Sequence, residues 1–139
     1  MSEAACAVID TNLLVRFLTG DDPVKAGEVK RLLLKAEEGR VRLLIPSVVI
    51  AELVWVLQSF YKLDRSEIVP LLTAIVHTRG VEVGDRPVVS EAVALYRDGT
   101  IDFIDAWIVA YARQTGVRSV YTFDRKHFKG VAGIEMIHP

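Results

Sequence analysis

Short apolar runs alternate along this chain with longer stretches in which apolar positions recur at helical spacing. "CAVID" at 6–10 predicts a buried strand that closes on a carboxylate, and "LLVRFL" just after it predicts a helix over 12–18. "GDDP" breaks the chain, and Pro23 suits the first turn of a helix over 23–38. "VRLLIP" predicts a strand at 41–46, after which Ser47 is positioned to cap a helix over 48–60. A further helix is predicted over 65–78, begun by Asp64 or Ser66, then a short strand "GVEV" at 80–83 and a helix from Pro87 to about Tyr96. "DFIDAWIVAYARQTG" reads as a helix stopped by Gly116, "VRSVYTF" as a strand and "IEMI" as the last one.

Strands and helices therefore alternate. That pattern predicts an α/β fold, a three-layer α/β/α sandwich whose mainly parallel central sheet carries helices on both faces. No repeat, low-complexity run or long linker interrupts 1–139, which reads as a single domain.

Composition refines this picture. With 51% hydrophobic and 25% charged residues, the chain can build a core. Its positive mean hydropathy, +0.30, fits either a doubly covered sheet or a face covered by a partner. A net charge of −1 excludes global electrostatic steering, so a nucleic-acid ligand would need a local basic patch or metal ions. One cysteine, Cys6, rules out an intramolecular disulfide and a thiolate zinc site. We expect it to be a small core residue, which fits a reducing, cytoplasmic location. The opening "MSEAACAVID" lacks the basic start of a signal peptide. "LLIPSVVIAELVWVL" contains Pro46 and Glu52 and is too short to span a membrane.

The acids carry the chemistry. In a parallel α/β sheet, ligands bind beyond the carboxyl ends of the strands, where the helix N-termini also lie. Asp10 and Asp124 are expected at strand ends, Glu52 in the second turn of a helix, and Asp102 and Asp105 on one face of a helix start. Each has a plainer reading: Asp10 and Asp124 as turn residues, Asp102 as a helix cap, Asp105 as a complement to the helix dipole. Glu52 is harder to dismiss, because Val48, Val49, Trp55 and Val56 surround it on its helix. Carboxylates gathered at one edge repel, and a divalent cation relieves that repulsion. Oxygen-only ligands suit Mg²⁺ or Mn²⁺, as one ion or as two flanking a phosphodiester. His77, His127 and His138 have no evident triad partner and read as surface or structural residues.

"VIDTNLLVRFLTGDDP", "IPSVVIAELVWVL", "DFIDAWIVAYA" and "TFDRKHF" occur in this order and span nearly the whole chain. In this the sequence resembles PIN-domain ribonucleases, and more closely the VapC-type toxins of toxin–antitoxin pairs. The resemblance implies a catalytic and metal-binding quartet of Asp10, Glu52, Asp105 and Asp124, with Asp102 as a secondary ligand or a cap. It implies that Asn12 and Thr122 steady the first and last aspartates. It also implies Mg²⁺ or Mn²⁺ dependence, endonucleolytic cleavage of an RNA substrate, homodimerisation and inhibition by a small antitoxin protein. Trp107 stands where a smaller aliphatic residue is more usual. Arg125 and Lys126, beside Asp124, and Arg16 are candidate RNA contacts, and Arg16 is also a candidate for a partner's carboxylate. Val15, Leu18, Leu53 and Phe60 are candidates for an antitoxin helix, against a default of core burial.

Alternative readings are a PIN-like nuclease acting on DNA or in RNA processing, or a binding module with a vestigial acidic site. A phospho-receiver domain fits poorly, since "VIDTN" lacks its adjacent acids. A haloacid-dehalogenase-like phosphatase would need an aspartate where Asn12 stands.

Overall fold

The structure, a computed structural model, describes residues 5–128 and 130–139. It comprises two compact units, Met1–Arg86 and Pro87–Pro139.

The first unit is built in the order β1 (Ala5–Val8), α1 (Thr11–Thr19), α2 (Pro23–Glu37), β2 (Val41–Ile45), α3 (Ser47–Ser59), α4 (Arg65–Val76) and β3 (Val81–Val83). Its three strands lie in the order β1-β2-β3 and all pair in parallel, Cys6 opposite Arg42 and Leu44 opposite Glu82. Local chemistry starts the helices. Asp22 accepts from the Lys25 amide at 3.1 Å, with Pro23 at the first helical position of α2. Asp64 and Glu67 form a reciprocal capping box on α4, which decides between the two predicted start residues. Ser47 does not cap α3: Pro46 takes the cap position and Ser47 is already helical, its hydroxyl bonded to Asp85 at 3.2 Å. Ile9, Leu14, Leu43, Ile45, Ile50, Leu53, Leu57, Ile68 and Leu72 form the core.

One close approach is set by a glycine. Gly80 has φ +84°, and a Cβ built on it would lie 2.2 Å from the Ala36 carbonyl oxygen. Only glycine combines that left-handed backbone with that contact between the end of α2 and the entry to β3.

Two expectations fail at β1. Its residues, Cys6 included, are exposed rather than buried, on both faces of the strand, whereas Val81 and Val83 of the opposite edge strand β3 are buried. The strand also stops at Val8, although the Ile9 amide still donates to the Leu44 carbonyl at 2.9 Å. Asp10 is the residue just beyond that last bond.

The second unit contains α5 (Arg86–Asp98), α6 (Phe103–Gln114), β4 (Ser119–Tyr121), a 3₁₀ turn (Arg125–Phe128) and β5 (Glu135–Ile137), with β4 and β5 parallel. Tyr96 is fully buried and meets Phe103 edge-on at 5.7 Å. Gly116, at φ +78°, follows the end of α6 as its spacing predicts. Trp107 stacks on Tyr111, their rings 5.3 Å apart and 10° from parallel. The parallel α/β character read from the sequence is borne out, whereas the 3₁₀ turn was not foreseen. No helix among the described residues is long and apolar enough to cross a membrane.

Candidate active site

In the first unit, α1 packs against α3, and their approach forms a cavity of about 470 Å³. Asp10, Asn12 and Arg16 line it from the start of α1, Glu52 and Val56 from α3, and Phe60 and Tyr61 from the segment after α3. The sheet explains Asp10: it leaves the ladder in an extended conformation, φ −82° and ψ 153°, and becomes the N-cap of α1. Its Oδ1 accepts from the Thr11 amide at 2.7 Å, so the capping role and exposure to the cavity coexist in one residue. That bond, rather than one from Asn12, steadies Asp10; Asn12 is exposed and lines the cavity itself.

Glu52 is exposed on α3, one turn from the exposed Val48 and Trp55. Its carboxylate opens onto the cavity instead of being buried among apolar side chains, which removes the burial cost the sequence suggested. Arg16 is committed within the unit. Its guanidinium lies 2.7 Å from Asp21, and the Tyr61 hydroxyl donates to the same carboxylate at 2.5 Å. The Tyr61 hydrogen bond, ahead of the Arg16 interaction, holds the Asp21 carboxyl below the usual carboxylate range, and Asp21 in turn raises Tyr61.

In the second unit, Asp102 stands at the N-cap of α6 with no side-chain capping bond, which leaves its carboxylate free of that role. Asp105 follows in the first turn with its side chain 20% exposed. Burial pushes the Asp105 carboxyl above its ordinary range; the His127 charge opposes this, and Asp102 and Asp124 add to it. Asp102, Asp105, Asp124 and His127 thus share one electrostatic patch. Asp124 is positioned by Thr122, whose Oγ1 accepts from the Asp124 amide at 3.0 Å. Thr122 therefore steadies this aspartate through its backbone and not through its carboxylate. Arg125 and Lys126 are exposed on the 3₁₀ turn.

His127, read from the sequence as a surface or structural residue, has a partner that reading did not supply. It is exposed, as expected of a surface histidine, but its Nδ1 lies 3.8 Å from Asp105 Oδ2. The signal was its position three residues after Asp124, inside "TFDRKHF". Val15 and Leu53 are buried in the core, whereas Phe60 is 74% exposed.

Asp10 and Glu52 belong to the first unit and Asp102, Asp105 and Asp124 to the second. Within each unit, among the described residues, no three Asp, Glu, His or Cys side chains form a group able to hold a metal ion. The donor chemistry nonetheless fits a hard divalent cation. The cavity is lined by three carboxylates and no thiolate; Asp21 is engaged by Arg16 and Tyr61, and Asp10 and Glu52 remain for an ion, which suits Mg²⁺, an ion that takes one or two carboxylates directly while keeping several waters.

The chain is 29% identical over 134 residues to a VapC ribonuclease of Aquifex aeolicus (strain VF5), covering 95% of this chain and 96% of the relative. Among solved structures it is similar to a toxin-antitoxin complex from Klebsiella pneumoniae, at 20% identity, TM-score 0.35 and 98% coverage of both chains. It is also similar to VapBC2 from Rickettsia felis bound to a DNA fragment from their promoter, at 17% identity and TM-score 0.38, covering 96% of this chain and 98% of that one. The PIN domain model matches residues 7–134, almost the full length, and the chain therefore belongs to the PIN domain family.

Proposed function

We propose that this protein is a divalent-metal-dependent endoribonuclease, the toxin of a type II toxin–antitoxin pair, which cuts RNA and so blocks translation. The observation that carries this reading is the pair Asp10 and Glu52, brought by the N-cap of α1 and by α3 to one open cavity. Membership of the PIN family and likeness to a VapC ribonuclease along 95% of the chain support it. One family model running from 7 to 134 supports reading 1–139 as a single functional domain.

Asp10 and Glu52 would hold the ion, with Asp105 and Asp124 completing the catalytic quartet and Asp102 as a secondary ligand. A bound Mg²⁺ or Mn²⁺, one ion or two, would supply Lewis acidity to the scissile phosphodiester and lower the pKa of the attacking water. The residues around it have distinct tasks. Thr11 keeps Asp10 oriented, Thr122 keeps Asp124 oriented, and Asn12 presents an amide to the cavity. Arg125 and Lys126 are placed for phosphate contact beside Asp124. The partners in this reading are a small antitoxin protein and a second copy of the chain, and the location is cytoplasmic.

The test is cleavage of total bacterial RNA and of single-stranded DNA by the purified protein in EDTA, Mg²⁺ or Mn²⁺, beside the Asp10→Asn variant. The expected result is RNA cuts that need the metal and vanish in the variant. Equal cleavage by the variant overturns the assigned site. Cleavage of DNA alone overturns the substrate.

A further inference from the structure

We propose that Phe60 is a stacking platform for a nucleobase of single-stranded RNA held in the Asp10–Glu52 cavity, and that it sets which base stands beside the cut; this rests on the nuclease reading. Phe60 follows directly on α3 and lines the same cavity as the two carboxylates. Phe60 is 74% exposed, and Val56 lines the cavity with it. It is also mounted on a fixed base. Its ring meets Tyr61 edge-on, with centroids 5.0 Å apart and planes 69° from parallel. Tyr61 is anchored by its hydroxyl to Asp21, and Asp21 by Arg16.

That chain of contacts decides what this wall offers a ligand. The Arg16 charge is already balanced by Asp21, so the wall presents aromatic surface where a phosphate would require a free cation. Single-stranded RNA is read by splaying a base onto an aromatic ring and hydrogen-bonding its edge. Asn12, exposed in the same cavity, carries both a donor and an acceptor for such an edge. The cavity volume, about 470 Å³, falls in the roughly 300–1,000 Å³ range of small-ligand sites. An apolar protein segment fits less well. It would desolvate Asp10 and Glu52 without compensating their charge, whereas a nucleotide arrives with the cation its phosphate shares.

The experiment compares the parent with F60A, F60L and F60W on total bacterial RNA in Mn²⁺, with cut positions mapped by end sequencing. The best-cut site is then remade as short RNA oligonucleotides carrying an abasic residue at each position in turn. Because the side chain is exposed, all three variants should melt close to the parent. We expect F60A and F60L to lower kcat/KM by about ten- to a hundredfold, mainly through KM, and F60W to restore it. Base preference should relax at one position flanking the cut. An abasic residue there should slow the parent and leave F60A unchanged. Parental rates and base preference in F60A overturn the proposal while leaving the nuclease standing. Parental rates with lost inhibition by a protein partner also overturn it, and assign Phe60 to that partner. A parent that cuts no RNA removes the underlying reading, a result distinct from either.

Discussion

The His127 imidazole lies 3.8 Å from the Asp105 carboxylate, across the start of α6 from the 3₁₀ turn that follows Asp124. Burial is the larger influence on Asp105 and raises its pKa, while a protonated His127 lowers it. Removing the imidazole should let Asp105 rise further. In His127→Ala the acidic limb of the pH–rate profile is expected to move to higher pH, with the rate on the plateau above it less affected than the rate on the limb. A profile superimposable on that of the parent would show that the two groups are uncoupled in solution.

The same burial has a stability consequence whose sign is fixed. A carboxyl with a raised folded-state pKa contributes stability in its protonated form, present below the ordinary value of 3.8 and lost as pH rises through the folded-state pKa. At neutral pH the ionised Asp105 therefore costs stability. Asp105→Asn should raise Tm at pH 7, the gain shrinking to nothing as pH falls below that ordinary value. Thermal melts of both proteins from pH 3 to pH 8 check this, and a variant less stable than the parent at pH 7 contradicts it.

Asp10→Asn and Glu52→Gln should each reduce cleavage by at least about a hundredfold, since both remove a charged ligand oxygen from the cavity. Asparagine keeps an oxygen to accept from the Thr11 amide and is as good a helix cap as aspartate, so Asp10→Asn should melt within a few degrees of the parent. Circular dichroism melts beside the RNA assay separate lost chemistry from lost fold.

Millimolar Mg²⁺ or Mn²⁺ should raise the Tm of the parent by a few degrees, because an ion that binds only the folded cavity stabilises it by linkage. Asp10→Asn and Glu52→Gln should lose most of that shift. An equal shift in all three proteins would assign the ion to other residues.

Gly80 and Phe60 should behave oppositely on substitution. In Gly80→Ala the left-handed backbone costs about 1–3 kcal/mol before the clash with the Ala36 carbonyl is counted. Phe60→Ala removes an exposed ring and should change stability little, while the fully buried Leu57, three residues earlier on α3, should cost about 2–5 kcal/mol when cut to alanine. Urea melts of the three variants test the ranking.

The linear pattern determined most of the elements. The apolar run of β2, the Pro23 start of α2, the Asp64 capping box and the Gly116 stop are local devices, acting within a few residues of their own position, and all four appear at or beside the predicted places. The acids were legible as a set because Asp10 stands beside a ladder end and Asp105 in a first helical turn, both consequences of element order. What the sequence could not supply was the environment of each side chain. Cys6 reads as a core residue by composition, yet it stands exposed on β1. Glu52 reads as a buried charge from its helix neighbours, yet the packing of α1 on α3 opens a cavity around it. Arg16 reads as a free cation, and the chain brings Asp21 and Tyr61 to it from two other segments. His127 reads as an isolated surface residue until the 3₁₀ turn swings it toward Asp105. Local hydrogen bonds and periodicity depend on neighbours in sequence, so the sequence determines them. Exposure, ion pairing and pKa depend on neighbours in space, and only the tertiary structure decides which those are.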